Sequence, residues 1–304
     1  MERGLGKTLL IANPTARSGR GAHRIEEAEA LLRRRLPDDT LTIALSDHAG
    51  HGEELAAAAE GFETVLALGG DGLVSDVANG LMEHDAPRRP TFGVIPAGSG
   101  NDYARALGVS TDIHRACEQV LKGTARPVDV GRVNGRWFVE TLSFGLDAAI
   151  ALETMERRAR TKRRGAFLYL ESGFDQLLHH LRTWTYTASF DDGALVQGES
   201  ITFAVQLGAY YGGGFKICPD AQVDDGTFDL CIAHPPASLA RALSIFMLAK
   251  GGHHGRFQQM EIIRARKLRV EFEEAPPAQR DGEPLSSRVF DISLEPNALR
   301  VIRP

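Results

Sequence analysis

Two aspartates that could bind a metal or take part in catalysis each lie in a glycine-rich turn that follows an apolar run. The first run, residues 65–68, is followed by Gly69, Gly70 and Asp71 and then by a helix-like segment. Glycines let a phosphate approach the backbone, and the start of a helix directs N–H groups at anionic oxygens. A carboxylate beside phosphates repels them unless a divalent cation lies between. This turn therefore predicts a nucleotide site with magnesium.

The same arrangement occurs twice more in the first 110 residues. The apolar run 92–95 leads into the small-residue turn 97–100 and then to Asp102, and the run that begins at residue 9 leads into a turn that carries Arg17. Each block indicates a buried strand followed by a turn and a helix. The three turns are expected at the carboxyl edge of one parallel sheet, where doubly wound folds bind ligands.

A second pair of acids lies near the end of the chain. Asp281 and Glu283 flank Gly282, and in an extended segment this spacing directs both side chains to one side. One carboxylate could then accept a proton from a hydroxyl group while the other holds metal-bound water. Taken alone, the triplet also fits an ordinary surface turn.

These motifs resemble, in their order, the catalytic domain of the diacylglycerol kinase family, which includes bacterial lipid kinases and sphingosine kinases. The resemblance rests on NPTARSGRG at 13–21, GGDGL at 69–73, PAGSGNDYAR at 96–105, the Gly-Leu-Asp strand end at 145–147, the glycine and aspartate segment 212–229, and 281–283. Leu73 and Ser99 stand where threonine is commoner and look like the sphingosine kinase versions, whereas NDYAR looks bacterial. The acceptor lipid is therefore left open.

The resemblance implies ATP and Mg²⁺ as cofactors and assigns roles to individual residues. The catalytic acids that it implies are Asp71, Asp102, Asp281 and Glu283. The implied nucleotide contacts are Asn13, Pro14, Thr15, Ala16, Arg17, Ser46, Gly70, Asp71, Gly72, Leu73 and Ser99. A structural metal is implied at the Asp225 carboxylate and the backbone carbonyls of Gln222 and Thr227.

The hydrophobic pattern changes near residue 128. Before it, short apolar runs at 8–13, 41–45, 64–69 and 91–96 alternate with helical patterns, which predicts a doubly wound α/β domain with a parallel sheet. After it, period-two alternation predicts a mainly antiparallel β-sandwich, with helices near 149–182 and 238–249. We therefore expect a nucleotide-binding catalytic domain over 1–128 and a β-sandwich lipid kinase domain over 129–304.

Charge and hydropathy limit the partners. The net charge of −5 argues against a nucleic-acid partner, and no apolar run approaches the ~20 residues that span a bilayer. We expect a cytoplasmic protein that meets its lipid acceptor at the inner face of the membrane, with the oligomeric state open and a homodimer among the expectations. The basic run at 157–164 fits either a solvated helix face or contact with an anionic bilayer. The residues assigned to that contact are Arg157, Arg158, Arg163 and Arg164.

The function implied by the resemblance is an ATP-dependent lipid kinase that transfers the γ-phosphate to a lipid hydroxyl, with diacylglycerol as the first acceptor and phosphatidic acid as the product. A sphingoid base is the second acceptor that fits. The alternative is a soluble small-molecule kinase, such as an NAD kinase-like enzyme. NAD kinases share GGDG but lack PAGSGNDYAR and the two later acidic motifs.

Overall fold

The protein is described by a computed structural model, which covers residues 4–15, 21–37, 39–161, 166–235 and 238–304. The chain forms two compact units. The first comprises the residues up to Val130 together with Asn297–Pro304, and the second is Gly131–Pro296.

The helices and strands are numbered in chain order. The helices are α1 Gly21–Arg33, α2 His51–Ala57, α3 Asp71–Met82, α4 Asp102–Ala106, α5 Ile113–Lys122, α6 Leu146–Thr161, α7 Ala166–His179 and α8 Leu239–Ala249. The strands are β1 Thr8–Ala12, β2 Leu41–Leu45, β3 Thr64–Gly69, β4 Thr91–Pro96, β5 Thr124–Val133, β6 Arg136–Phe138, β7 Thr141–Gly145, β8 Trp184–Phe190, β9 Val196–Ser200, β10 Thr202–Gln206, β11 Tyr210–Tyr211, β12 Phe215–Lys216, β13 Phe228–Ala233, β14 Met260–Ala265, β15 Lys267–Phe272, β16 Ala278–Arg280, β17 Glu283–Leu285 and β18 Val289–Arg303.

The first unit is the predicted α/β domain. Its strands run parallel in the order β2-β1-β3-β4. Every residue of β1 and β3 is buried, which explains why both strands are apolar throughout instead of alternating. Helix α3 presents Val74, Val77 and Leu81 to the core, at the spacing of one helix face. The prediction of a doubly wound fold is confirmed.

The last eight residues lie with the first unit and not with the second, to which the sequence division at 128 assigned them. The reason is strand β18, whose residue Val301 pairs in parallel with Phe92 of β4. The return is also anchored by a side chain, because the backbone N–H of Asn297 donates to the Asp129 carboxylate at 2.9 Å. A pairing over such a separation leaves no local pattern in the sequence.

The second unit is a β-sandwich, as predicted. One sheet has the antiparallel order β14-β13-β10-β7-β16-β17, and the other contains β9, β8, β15 and the first half of β18. Aromatic side chains from both sheets meet in one core. The ring of Phe144 lies 4.5 Å from that of Phe290 and 5.3 Å from that of Phe272, measured between centroids.

A second core lies on the other face of the six-stranded sheet. Phe203 of β10 belongs to the aromatic core, whereas its neighbour Ala204 faces this second cluster, because successive strand residues point to opposite faces. The helices α6, α7 and α8 cover that face through Ile150, Tyr169 and Phe246. Among the helices in the described ranges, none combines the length and apolarity needed to cross a membrane.

Candidate functional site

The predicted nucleotide residues of the first unit follow the carboxyl ends of its parallel strands. Asn13 follows β1, and its backbone N–H donates to the Leu68 carbonyl at 3.2 Å. Ser46 follows β2, and its N–H donates to the Ala12 carbonyl at 2.9 Å. The two turns that start at Gly70 and Ala97 follow β3 and β4. All of these turns therefore lie at the same edge of the sheet, as expected from its topology.

The turns after β3 and β4 touch through their backbones. A Cβ atom on Gly98 would lie 2.4 Å from the Gly70 Cα, so any side chain there would force the turns apart. Gly70 precedes α3 and supplies no side-chain cap to the first N–H groups of that helix. A Cβ on Gly72 would meet nothing within 4 Å. The start of α3 is thus an open helix N-terminus of the kind that binds phosphate.

The carboxylate of Asp71 joins these two turns. One oxygen accepts the backbone N–H of Asn101 at 2.7 Å, and the other accepts that of Asp102 at 2.8 Å. Asn101 itself has a left-handed backbone, with φ of 59°, and its side-chain oxygen accepts the N–H of Gly98 at 2.8 Å. Asp71 is therefore both an acid at the phosphate turn and a brace for the neighbouring turn.

Asp102 lies close to Asp71 and is almost fully buried. One carboxylate oxygen of each residue lies within 4.8 Å of the other, and Arg105 donates to Asp102 at 2.7 Å and also to the Gly100 carbonyl. A Cβ on Gly100 would fall 2.4 Å from an Asp71 oxygen. Glycine at position 100 thus lets the Asp71 carboxylate lie against this turn. Two carboxylates this close are hard oxygen donors of the kind that fits a magnesium ion. Gly100 belongs to the small-residue turn predicted from the sequence, whereas Arg105, in the same PAGSGNDYAR motif, had no predicted role.

The turn after β1 is organised by its asparagine. The Asn13 side-chain oxygen accepts the backbone N–H of Thr15 at 2.9 Å and its hydroxyl at 2.8 Å. Helix α1 begins against this turn, since a Cβ on Gly21 would lie 2.5 Å from the Pro14 carbonyl oxygen. Two further predicted contacts, Ala16 and Arg17, lie outside the described residues.

Leu73 and Ser99, the two departures from the bacterial pattern, have different surroundings. Leu73 is buried, and its side chain approaches both Gly69 and Gly52, where added Cβ atoms would lie 2.6 Å and 2.7 Å away. Its leucine side chain is therefore a packing group between β3 and α2, and its contact with the nucleotide stays a prediction. Ser99 is half-buried in the turn between Gly98 and Gly100.

The segment around Asp281 is not extended, and the expectation that both of its acids point to one side is wrong. Asp281 and Gly282 are the two central residues of a hairpin between β16 and β17, with φ of 46° and 91°. Two successive positive φ values are typical of a type I′ turn, which asparagine, aspartate and glycine favour. The turn directs the two carboxylates differently.

The Asp281 carboxylate is buried and bonded to backbone. It accepts the N–H groups of Val139 at 2.8 Å, Glu140 at 3.0 Å and Thr141 at 2.9 Å. Burial raises the pKa of Asp281, and these three donors oppose the rise. Glu283 is about half exposed and forms an ion pair with the buried Arg280. The role of either acid as the base stays a prediction.

The implied metal site at Asp225 has partners already on its carboxylate. One oxygen accepts the N–H of Thr227 at 3.2 Å and its hydroxyl at 2.9 Å, and the other lies 3.5 Å from the Arg264 guanidinium. Nearby Asp229 is buried and also pairs with Arg264 at 3.2 Å. The Asp225 carboxylate therefore has an N–H group, a hydroxyl and a guanidinium as neighbours. The metal set of Gln222, Asp225 and Thr227 stays a prediction.

A cavity of about 620 Å³, counting solvent at its mouth, lies in the second unit beside α6, α7 and α8. Its lining is almost entirely apolar, with Ile150, Phe215 and Phe246 among the contributors. Asp147, at the start of α6, is its buried acid. Neither Asp147 oxygen has a hydrogen-bond partner of normal geometry, and burial raises its pKa to about 8, against a smaller lowering by the Ser143 hydroxyl. Asp147 belongs to a motif recognised in the sequence, but no role was predicted for it.

The basic run predicted to meet a membrane is partly engaged within the fold. Arg157 donates to Glu153 at 2.6 Å, to Glu171 at 3.2 Å and to Asp175 at 2.6 Å, which ties α6 to α7. Its side chain is only 19% exposed. Arg158 is half-buried, and Arg163 and Arg164 lie outside the described residues. Membrane contact through this run stays a prediction.

Comparison with known proteins agrees with this architecture. The profile of the diacylglycerol kinase catalytic domain matches residues 7–133, and that of the YegS C-terminal NAD kinase beta sandwich-like domain matches residues 140–303. The diacylglycerol kinase of Bacillus subtilis (strain 168) is 36% identical over 287 residues, which cover 91% of this chain and 89% of that protein.

Two solved structures share the fold. A diacylglycerol kinase from Bacillus anthracis str. Sterne superposes with a TM-score of 0.77 at 23% identity, over 98% of this chain and 97% of its own. An NAD kinase from Archaeoglobus fulgidus in complex with ATP superposes with a TM-score of 0.51 at 14% identity, over 97% and 92%. With the two profile matches and the Bacillus subtilis relative, these findings show a kinase that acts on a lipid hydroxyl, and the chain belongs to the diacylglycerol kinase family.

Proposed function

We propose that this protein transfers the γ-phosphate of ATP to the free hydroxyl of diacylglycerol, with phosphatidic acid as the product. The observation that supports diacylglycerol as the acceptor is the apolar cavity, which has one buried acid, Asp147, in its lining. A site of this composition can bury hydrocarbon and still direct one polar group. The relatives named diacylglycerol kinase support the same acceptor.

The nucleotide half of the reaction belongs to the first unit. The uncapped start of α3 and the glycines at 70 and 72 leave backbone N–H groups and space for phosphate oxygens. Asp71 and Asp102 would hold a magnesium ion, which would neutralise charge on the transferred group when bound. Arg105 orients the Asp102 carboxylate through their ion pair. Catalysis in such a site is mainly positioning and charge stabilisation.

The acceptor half favours a neutral lipid. With a pKa raised to about 8, Asp147 is largely protonated at neutral pH, so it can donate a hydrogen bond to an ester or hydroxyl oxygen. Diacylglycerol brings no charge into the cavity. A sphingoid base would bring an ammonium group, whose burial costs free energy unless the acid ionises to pair with it. The protonated acid therefore argues for diacylglycerol over a sphingoid base.

Among the two acids at the hairpin turn, we assign the base to Glu283. Asp281 uses both carboxylate oxygens to accept backbone N–H groups, whereas Glu283 is half exposed. Glu283→Gln should lower kcat by about 10²–10⁴-fold, the usual effect of removing a general base. The glutamine oxygen can still accept a hydrogen bond from the buried Arg280, so the variant should fold, although loss of the ion pair lowers its melting temperature. A Glu283→Gln enzyme with near-normal kcat would remove this assignment.

The direct test is an acceptor panel with labelled ATP. Diacylglycerol, sphingosine and NAD are each presented to the purified protein, the lipids in detergent micelles, and the products are separated by chromatography. Phosphatidic acid is the expected product, and preferential phosphorylation of sphingosine or NAD would overturn the proposal. Omission of magnesium, with EDTA present, should abolish the label in phosphatidic acid.

Two substitutions at Asp147 test its role. Asp147→Asn keeps a neutral group that can donate a hydrogen bond, whereas Asp147→Leu has a similar volume and no donor. We expect Asp147→Asn to keep most of the wild-type kcat/KM for diacylglycerol and Asp147→Leu to lose about tenfold, the size of one hydrogen bond. Equal loss in both variants would mean that an ionised carboxylate is needed, as for a cationic acceptor.

A further inference from the structure

Helix α8 carries more apolar side chains than its packed face buries. Ala242, Phe246 and Ala249 form the face that is packed in the core. Leu239 and Met247 border that face and are 41% and 50% exposed. A helix whose apolar surface extends beyond its packed face is normally covered by other structure. This exposed edge of α8, defined by Leu239 and Met247, has no such cover among the described residues.

Helix α7 continues the apolar surface. Phe167, Phe174 and Leu178 follow one another at seven and four residues, which places them on one helix face, and they are 68%, 39% and 51% exposed. The Phe174 ring lies 6.2 Å from that of Phe246 on α8, and a Cβ on Gly173 would fall 2.2 Å from the Phe246 ring. The two helices are therefore in close contact, and the two exposed faces flank that contact. We call these five exposed side chains the α7–α8 surface.

The formal charges in the chain segment that carries α8 are all positive, and the two acids of α7, Glu171 and Asp175, are paired with Arg157. Residues 230–260 contain no aspartate or glutamate, although the chain as a whole carries a net charge of −5. The cations in this segment are Arg241, Lys250 and Arg256, and all three are exposed. An exposed apolar helix face with basic residues beside it is typical of helices that lie in the interface of an anionic bilayer.

The same helix borders the acceptor cavity. Ala242, Ile245 and Phe246 of α8 line the cavity, while Leu239 and Met247 are exposed and are not part of its lining. A lipid that leaves a bilayer for this cavity would pass from one apolar environment to another along α8. We propose that the α7–α8 surface docks on an anionic phospholipid bilayer and places the cavity beside it. The proposal deepens the function inferred above and rests on it for the identity of the lipid.

Vesicle sedimentation without ATP tests the docking by itself. Wild-type protein should bind vesicles of phosphatidylcholine and phosphatidylglycerol and bind pure phosphatidylcholine more weakly. The double variant Leu239→Gln, Met247→Gln should bind the anionic vesicles about tenfold or more weakly. Lys250→Gln should lower the binding by about fivefold. The matched control is Leu195→Gln, Val196→Gln, which removes two exposed apolar side chains beside and within β9 and should bind within twofold of wild type.

Fluorescence gives a second, direct measurement. Met247→Trp should shift its emission to the blue when anionic vesicles are added, because the indole leaves water. Leu195→Trp, which is exposed in the same unit, should show no shift. Size-exclusion chromatography with light scattering completes the set. A wild-type dimer that the Leu239→Gln, Met247→Gln variant dissociates, without vesicle binding by either protein, would assign the surface to a second copy of the chain and overturn the proposal.

The experiments test the docking proposal and the proposed reaction independently of each other. If the double variant and the control bind vesicles as wild type does, the α7–α8 surface is not the docking site, whatever lipid is phosphorylated. If wild type binds vesicles but phosphorylates no diacylglycerol in detergent micelles, the acceptor is wrong and the docking stands. Where both hold, the double variant should keep the wild-type rate on short-chain diacylglycerol in detergent and lose rate only on vesicles.

Discussion

Replacement of Asp281 by asparagine tests whether this acid acts through the fold. The substitution keeps the size of the side chain and suits the left-handed backbone at φ of 46°, which asparagine tolerates. It changes the charge and the acceptor capacity of the group. The carboxylate accepts three backbone N–H groups, one on one oxygen and two on the other, whereas the amide has a single oxygen and presents hydrogens in place of the second.

The free-energy change can be worked from these bonds. The N–H of Val139 loses its acceptor while buried, which costs about 1–3 kcal/mol, and the two remaining bonds lose the charge that made them stronger, about 1 kcal/mol each. Relief of the buried charge, which raises the pKa of Asp281, offsets part of this. We expect a net loss of about 2–4 kcal/mol and a melting temperature lower by roughly 5–15 °C.

The assay is thermal unfolding followed by circular dichroism, with Asp191→Asn as the matched control. Asp191 also has a left-handed backbone and accepts two backbone N–H groups, from Arg266 at 2.7 Å and Lys267 at 2.9 Å, but on one oxygen and at the surface. An amide oxygen can replace that oxygen, so the control should lose less than about 1 kcal/mol. An Asp281→Asn protein that melts within about 2 °C of wild type would refute the reasoning.

Three further outcomes follow from the geometry. The folded-state pKa of Asp147 is raised to about 8, so its contribution to stability is fully present below about pH 4 and is lost as the pH rises to about 8. Asp147→Asn should therefore flatten the pH dependence of the melting temperature over that range. Gly100→Ala should lower kcat by about 100-fold or more with a wild-type far-UV spectrum, since its Cβ would fall 2.4 Å from an Asp71 oxygen, and near-normal turnover would show that this contact has no role. Arg157→Gln should lower the melting temperature by roughly 2–4 °C without changing vesicle binding, because it removes the ion pairs between α6 and α7. The control Arg160→Gln, at an exposed position, should leave the melting temperature unchanged. Loss of vesicle binding in Arg157→Gln would instead support the membrane role first predicted for Arg157.

The sequence determined most of the first unit and its phosphate turns. A strand that is buried on both faces is apolar throughout, and a turn that touches another backbone needs glycine. Both features can therefore be recognised in the local sequence at 65–73 and 92–102. The position of Asp71 and Asp102 at one sheet edge then follows from parallel topology alone. Period-two alternation likewise predicted the sandwich of the second unit.

The tertiary structure decided which partner each charged group has. Asp281 bonds to Val139, 142 residues earlier in the chain, so its local motif could not distinguish a general base from a group that holds the backbone in place. Arg157 forms an ion pair with Asp175 on the next helix, so the basic run by itself could not distinguish a membrane contact from an internal ion pair. Asp147 became an isolated acid only when three helices enclosed it on one face of the sheet. Secondary structure depends on short-range periodicity and turn chemistry, whereas the environment of a carboxylate depends on segments that folding brings together from distant parts of the chain.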